Sequence, residues 1–380
     1  MLKAYKYRIF PSTEQQEKLS QQFSCVRYVY NFGLDMKIKE YETTKKTLSC
    51  FDLTKKMTEL KKEKEWLREA DSQVLQMSLR NLDNAFTAFF RKQNRFPNFK
   101  SKHNSNQSCT YPQRVKIDFD KSEMYLPKVG MVAMPEDRKY DGKTKSVTVS
   151  RTATNKYFAS VLVDDGLEMP FKEKITESGT VGVDVGLKHF ATISNGEKID
   201  NPKYFVNSQK RLAVKQRQLS RKMKGGVKRQ QAKLEVAKVY EKITNRRSDF
   251  LHKISRRLIS ENQAVAVEDL NIAGMVKNHC LAKGISDVSW GLFFQYLNYK
   301  ADWYGKTVLK IGRFEPSSKI CNVCGETNHK LTLADREWKC VCGVTHDRDI
   351  NASLNIKKFA LLGLKDIEPR INKLALSGVQ

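Results

Sequence analysis

Two short cysteine pairs constrain this chain more than any other feature. Cys321-Asn-Val-Cys324-Gly325 and Cys340-Val-Cys342-Gly343 can meet around one tetrahedral metal. The second pair then runs straight into His346-Asp347-Arg348-Asp349-Ile350-Asn351-Ala352, where a carboxylate stands at the start of a helical pattern. A metal knuckle beside an isolated carboxylate reads as a device that holds nucleic acid next to a metal-dependent active site. The rest of the chain must then supply the other carboxylates.

The second pair has one intervening residue rather than two, a shorter bite that can still complete a tetrahedral site of four cysteines. Four thiolates leave no position for water, so one structural Zn2+ is expected on Cys321, Cys324, Cys340 and Cys342. His329 and His346 are the fallback ligands. Lys319, Arg336, Lys339 and Arg348 can offset the site's negative charge. The other four cysteines, Cys25, Cys50, Cys109 and Cys280, are scattered and read as buried or incidental thiols.

Charge narrows the partners. Lys and Arg number 69 against 42 Asp and Glu, a net charge of +27. Such an excess repels itself unless a polyanion is near, so nucleic acid is the first partner to expect and an anionic membrane surface the rival. The basic residues are spread along the chain, not gathered on one amphipathic anchor. No apolar run is long enough for a spanning helix. The start, MLKAYKYRIF, lacks the apolar core of a signal peptide, so a cytosolic (cytoplasmic) protein is expected, nucleoid-associated when bound to DNA, or a nuclear one in a eukaryotic host.

The periodicity divides the chain. Lys3, Tyr5, Tyr7 and Ile9 alternate with Lys6 and Arg8, a strand ended by Pro11. Ser12-Thr-Glu-Gln15 is a capping box opening a helix with Leu19, Phe23, Val26 and Tyr30 on one stripe. A second helix carries Leu75, Leu79, Leu82, Phe86 and Phe89 and stops near Phe96-Pro97. From Tyr111 to Glu168 the period is two. There Ser146–Ser150 and Tyr157–Val163 flank the turn Thr154-Asn155-Lys156 as a hairpin, which the N-terminal strand is expected to join. After a polar linker at 171–179 comes a βαβ-type region with strands at Thr180–Val185, Phe190–Ser194, Ala264–Glu268 and Thr307–Ile311. A long basic helical segment from Gln209 to Ser260 is broken at Gly225-Gly226.

Two of these strands carry carboxylates among small residues. In Val181-Gly-Val-Asp-Val-Gly186 the valines face one way and Asp184 the other, and the flanking glycines leave room for something to approach it. In Ala264-Val-Ala-Val-Glu268, Glu268 shares its face with Ala264 and Ala266. Asp349 opens a segment with Ile350, Leu354 and Leu361 on one stripe, expected to end near Gly363. Singly, each acid could be a turn or cap residue. Together they can hold two divalent cations, the arrangement that drives phosphodiester hydrolysis.

At these residues the chain resembles the TnpB (OrfB) family of transposon-encoded RNA-guided DNA nucleases, related to compact type V CRISPR effectors. The likeness extends over nearly the whole chain. It is carried by Lys3-Ala-Tyr-Lys-Tyr-Arg-Ile-Phe-Pro11, Val26-Arg-Tyr-Val-Tyr-Asn31, Phe96-Pro-Asn-Phe-Lys-Ser-Lys102, Gly182-Val-Asp-Val-Gly-Leu-Lys-His-Phe-Ala-Thr192, Val267-Glu-Asp-Leu-Asn271, Pro316-Ser-Ser-Lys-Ile-Cys-Asn-Val-Cys-Gly325 and His346–Ala352.

The resemblance implies an α/β fold with added β and α parts: a RuvC (RNase H-like) nuclease domain with an inserted zinc ribbon. A small β-barrel-like wedge domain and a helical recognition bundle precede it. The expected divisions are 1–11 with 105–172 (wedge), 12–104 (helical recognition), 178–315 with 346–368 (RuvC-like), 316–345 (zinc ribbon) and 369–380 (tail).

The family's catalytic carboxylates carry over onto Asp184, Glu268 and Asp349, with Mg2+, two ions, as cofactor. Asp347 competes with Asp349 and ranks second, as a local cap or supporting group. Asp269 should point to the opposite face from Glu268.

The implied partners are a guide RNA from the element's end and a double-stranded DNA target beside a short motif, with no membrane and no required protein oligomer. Base pairing would read the sequence while the protein reads shape and backbone. Candidate nucleic-acid contacts are Lys3, Tyr5, Lys6, Arg8, Arg80, Arg91 and Lys100, with Arg211, Lys215 and Arg217 as further RNA contacts. The other readings are a nuclease-inactive RNA-guided regulator and a zinc-ribbon transposition accessory protein without a guide. Direct DNA transposition is disfavoured, because no catalytic tyrosine with paired histidines stands out among six scattered histidines.

Overall fold

The computed structural model describes residues 1–103, 107–135, 138–332 and 334–376, with side chains through residue 364. The chain divides into two compact units, Met1–Glu168 and Met169–Gln380.

The first unit opens with β1 (Leu2–Ile9), then α1 (Thr13–Thr44), α2 (Cys50–Glu63) and α3 (Ser72–Phe90). Strands β2 (Gln107–Tyr111), β3 (Lys116–Asp118), β4 (Glu123–Leu126), β5 (Gly130–Ala133), β6 (Lys143–Arg151) and β7 (Tyr157–Asp164) follow. β1 pairs antiparallel with β7, Lys3 opposite Val163 and Ile9 opposite Tyr157, in a sheet ordered β1-β7-β6-β2. β3, β4 and β5 form a second, three-stranded sheet. Ser12 caps α1: its side chain accepts from Gln15 N, and the Gln15 side chain accepts from Ser12 N.

The α1 stripe of Leu19, Phe23, Val26 and Tyr30 meets Leu75, Leu79 and Leu82 of α3. The same core takes Tyr7, Ile9, Val147, Val149 and Val161 from the strands. Strand-rich and helical parts of this unit therefore share one core. The division expected between residues 104 and 105 falls partly outside the described residues.

The second unit contains β8 (Thr180–Val185), β9 (His189–Ile193), β10 (Lys198–Asp200), α4 (Tyr204–Ser220), α5 (Val227–Glu261), β11 (Ala264–Glu268), α6 (Ile272–Met275), α7 (His279–Val288), α8 (Trp290–Trp303), β12 (Thr307–Ile311), β13 (Glu337–Lys339), β14 (Thr345–Asp347) and α9 (Arg348–Leu376). One sheet runs β10-β9-β8-β11-β12. β8 to β10 are an antiparallel meander, and β11 and β12 lie parallel to β8.

Val181, Val183, Val265 and Val267 face a core with Leu251, Leu258, Phe293 and Leu297. On the other face Ala266 and Ile311 pack on Ile356 and Ala360 of α9. β10 is too short to show a period, and α8 is apolar on most sides, so neither declares itself in the sequence. α9 also continues past Gly363, where a stop was expected. A single glycine costs a helix only about 1 kcal/mol. Of the expected tail 369–380, residues through Leu376 extend α9 and 377–380 lie outside the described residues. Among the described residues no helix is long and apolar enough to cross a membrane.

Gly182 decides where α9 lies. A Cβ there would sit 2.0 Å from Ser353 O and 2.8 Å from Lys357 N. The space beside Asp184 is thus filled by the backbone of α9, which corrects the expectation that this glycine clears a path to the carboxylate. Close approach of α9 brings Asp349, one turn before Ser353, to the sheet end. Gly182→Ala should cost about 1–3 kcal/mol by overpacking, read as a lower denaturation midpoint. An unchanged midpoint would show that α9 can shift freely.

Candidate active site and metal centre

Asp184 and Glu268 stand at the C-terminal ends of neighbouring parallel strands. Ala266 lies opposite Gly182 and Val267 opposite Val183, so the two acids follow side by side on the α9 face. Asp349 lies in the first turn of α9. Burial, then the charges of Glu268 and Asp349, push the half-buried Asp184 carboxyl well above the usual range, and Arg348 opposes them. The three predicted carboxylates therefore belong to one electrostatic cluster drawn from β8, β11 and α9. Among the described residues only the four clustered cysteines bring their ligand atoms all within 4.8 Å of one another, so the carboxylates are grouped but not packed that tightly.

The two aspartates of the last motif differ in their partners. Asp347 Oδ1 accepts from Asp349 N and Ile350 N, both at 3.1 Å, and its Oδ2 pairs with Lys198. Burial works against ionisation of Asp347, but the Lys198 ammonium and the two N–H donors outweigh it and hold its pKa below the usual value. Asp347 is a helix cap with both oxygens engaged. Asp349 has a looser neighbour, Arg336 Nη1 at 3.9 Å. Asp269, next to Glu268, pairs with Arg313 at 2.8 Å.

Asp184 carries a stability consequence. A carboxyl whose folded pKa lies above its unfolded value contributes stability that is intact below the unfolded value and lost as pH rises through the folded one. Ionised Asp184 therefore destabilises the fold. In magnesium-free buffer Asp184→Asn should raise the melting temperature by roughly 2–4 °C at pH 8 and converge with wild type near pH 4. Equal melting temperatures across that range would mean that the carboxyl is not crowded.

The cysteine set fits zinc. Cys321 and Cys342 sulfurs are 3.8 Å apart, Cys324 and Cys340 3.5 Å. The edge of a tetrahedron with Zn–S bonds of about 2.3 Å is about 3.8 Å. Gly325 (φ 81°) and Gly343 (φ 88°) occupy left-handed positions just after each pair, which turns the short Cys340-Val-Cys342 bite back on itself. His346 Nε2 lies 3.0 Å from Cys321 Sγ and its ring packs on Trp338, so it supports a ligand from beside the cluster. His329 does not join the set.

The sequence reading missed the residues that tie this knuckle to the carboxylates. Asn351 and Asn355, 1% and 0% exposed, lie on the inner face of α9. Asn351 accepts from Asn322 N at 3.0 Å and donates to Ile320 O at 2.7 Å. Asn355 donates to Ser317 O at 2.7 Å and Ile320 O at 2.6 Å. Ser317 Oγ in turn donates to Glu268 Oε1 at 2.6 Å. Two asparagines four apart on an otherwise apolar stripe were the available signal.

The basic candidates are scattered over both units. Lys3 pairs with Asp165 at 2.8 Å, and Tyr5 stacks on Tyr140. Lys6 lies over the Phe158 ring, Arg8 over Phe10 and Phe158, and Lys100 over Tyr30. Arg80 and Arg91 are exposed. Arg211 lines a basic cleft with Lys238, Lys242 and Arg246. Lys215 pairs with Glu235 at 3.4 Å, and Arg217 Nε donates to Ala213 O.

Comparison with known proteins joins these observations. Residues 160–279 match the family model OrfB_IS605, described as "Probable transposase". Residues 290–356 match a Cas12f1-like TNB domain, and residues 1–46 a helix-turn-helix domain of OrfB proteins. In the structure that last span holds β1 and the single long helix α1.

A Streptomyces pristinaespiralis protein named "Putative RNA-guided DNA endonuclease" is 40% identical over 93% of this chain and 88% of its own length. The Escherichia coli K12 protein "Putative RNA-guided DNA endonuclease InsQ" is 31% identical over 93% and 91%. A solved Cas12f1–guide RNA–target DNA complex shares the fold, at TM-score 0.56 and 14% identity, over 94% of this chain and 98% of that one. With identity of this level along almost its entire length, the chain belongs to the TnpB (OrfB) family.

Proposed function

We propose that the protein is an RNA-guided, Mg2+-dependent DNA endonuclease of an insertion-sequence element. The observation that carries this reading is the convergence of Asp184, Glu268 and Asp349 at the end of one sheet, from three separate parts of the chain. Hard carboxylate oxygens suit magnesium, and these three residues would hold it. When bound, two such ions activate water and offset charge on the leaving oxygen of a phosphodiester. Around them Arg336 and Arg348 balance the acidic cluster, and Asp347 anchors the helix start that presents Asp349. The zinc knuckle, residues 316–345, is scaffolding in a RuvC-like domain of residues 178–315 and 346–368.

The first unit would serve recognition. Residues 1–11 with 105–172 act as the wedge and 12–104 as the recognition bundle, gripping the target-adjacent motif and the guide–target duplex. Lys6, Arg8, Arg80, Arg91 and Lys100 are the preferred contacts there. Arg211, Lys215 and Arg217 are the preferred RNA contacts, giving salt-sensitive binding. Lys3, paired with Asp165, and Tyr5, stacked on Tyr140, are the remaining candidates there. The protein acts in the cytoplasm on duplex DNA.

Purification from cells followed by sequencing of bound RNA tests the class. A discrete RNA that directs cleavage of matching duplex DNA in Mg2+ is expected. Absence of any discrete RNA would favour the unguided accessory reading and sink this one.

A further inference from the structure

Ser317 was singled out by no catalytic or zinc-ligand pattern, yet it joins the two sites. Its hydroxyl donates to Glu268 Oε1 at 2.6 Å, the length of a charge-assisted O–H···O⁻ bond. The residue is only 5% exposed, so water has little access to replace that donor. Its carbonyl is held by Asn355 Nδ2, which also holds Ile320 O, immediately before the ligand Cys321. Ile320 O is held a second time by Asn351, and Asn351 also takes the N–H of Asn322. The loop entering the knuckle is therefore clamped to the helix that carries Asp349, and from that clamp one hydroxyl reaches Glu268.

We propose that Ser317 is a positioning residue: it occupies one oxygen of Glu268 and leaves the other to face the catalytic cations. The inference rests on the reading that Asp184, Glu268 and Asp349 hold those cations. A carboxylate at a strand end has two oxygens and free rotation of its last torsion. Pinning Oε1 removes that freedom and leaves one oxygen to be shared with metal. Groups that orient a ligand in this way carry roughly 10–100-fold in metal affinity.

The test uses the full-length, zinc-loaded protein and Mn2+ alone as probe, with free Mn2+ followed by electron paramagnetic resonance. Ser317→Ala should weaken Mn2+ binding by roughly 10–100-fold while zinc content stays at wild-type level, and Ser317→Thr should recover affinity to within about threefold. Should Ser317→Ala lose zinc or fold poorly, Ser317→Val against Ser317→Thr makes the same comparison at matched volume, the pair differing by the hydroxyl. Equal Mn2+ affinity in Val and Thr, or wild-type affinity in a folded Ser317→Ala, overturns the proposal. Asp184→Ala is measured alongside. If it loses Mn2+ while the Ser317 variants bind normally, only the positioning role fails. If it too binds like wild type, the cation-site reading itself has failed.

Discussion

Asp184→Ala should reduce DNA cleavage by roughly 10³-fold or more, the scale for losing a group that acts in the transition state, while RNA and DNA binding stay within about twofold of wild type. The separation follows from where the charges lie. Asp184 is a half-buried acid at the end of β8, whose carboxyl shares its cluster with Glu268 and Asp349. Polyanion binding draws on the large excess of Lys and Arg spread over the chain, a net charge of +27. Removing one acid takes nothing from that attraction. The measurement pairs a cleavage assay in Mg2+ with a binding titration at fixed salt, because affinity for nucleic acid means little without the salt concentration. Cleavage at the wild-type rate would move the active site elsewhere. Loss of binding and cleavage together would mean that Asp184 supports the fold rather than the chemistry.

Cys321→Ser combined with Cys324→Ser should remove about one zinc per chain and abolish cleavage. Structural zinc contributes about 10–16 kcal/mol of apparent binding energy in small zinc-binding peptides. The knuckle has few apolar residues to fall back on: Leu331, Trp338 and the ligands Cys321 and Cys340 are its buried cluster. Its collapse would release Ile320 and Asn322 from Asn351, and Ser317 from Asn355, so α9 and Glu268 lose their shared brace. Metal analysis by mass spectrometry and a cleavage assay read the two effects separately. Full zinc occupancy in the double variant would place the metal on other ligands. Zinc loss with unimpaired cleavage would show that the brace is dispensable.

Legibility in the sequence followed the strength of the local signal. The strands carrying Asp184 and Glu268 are valine-rich runs with clean alternation, and both appear within a residue of their expected limits. The break at Gly225-Gly226 separates α4 from α5 as expected. The grouping of the four cysteines follows from spacing alone, since a tetrahedral ion admits few arrangements of paired thiolates.

The glycine beside Asp184 was misread for a physical reason. Sequence shows that Cβ is missing at Gly182 but not what fills the space. Here that is the backbone of α9, a distant segment. The bracing roles of the buried asparagines and Ser317 were invisible in the same way, because a small polar residue acquires meaning only from the partner it meets.

By itself, then, the sequence determined the four cysteines that cluster, the strands bearing two acids, the candidates for the third and a charge excess suited to a polyanionic partner. Each is a matter of residue type, short spacing or summed charge. Only the tertiary structure showed that the oxygens of Asp347 are committed to a helix start and Lys198. It also decided that the knuckle and the carboxylates are one connected assembly. Those facts depend on groups far apart in the chain, and their hydrogen bonds exist only once α9 has docked on the sheet.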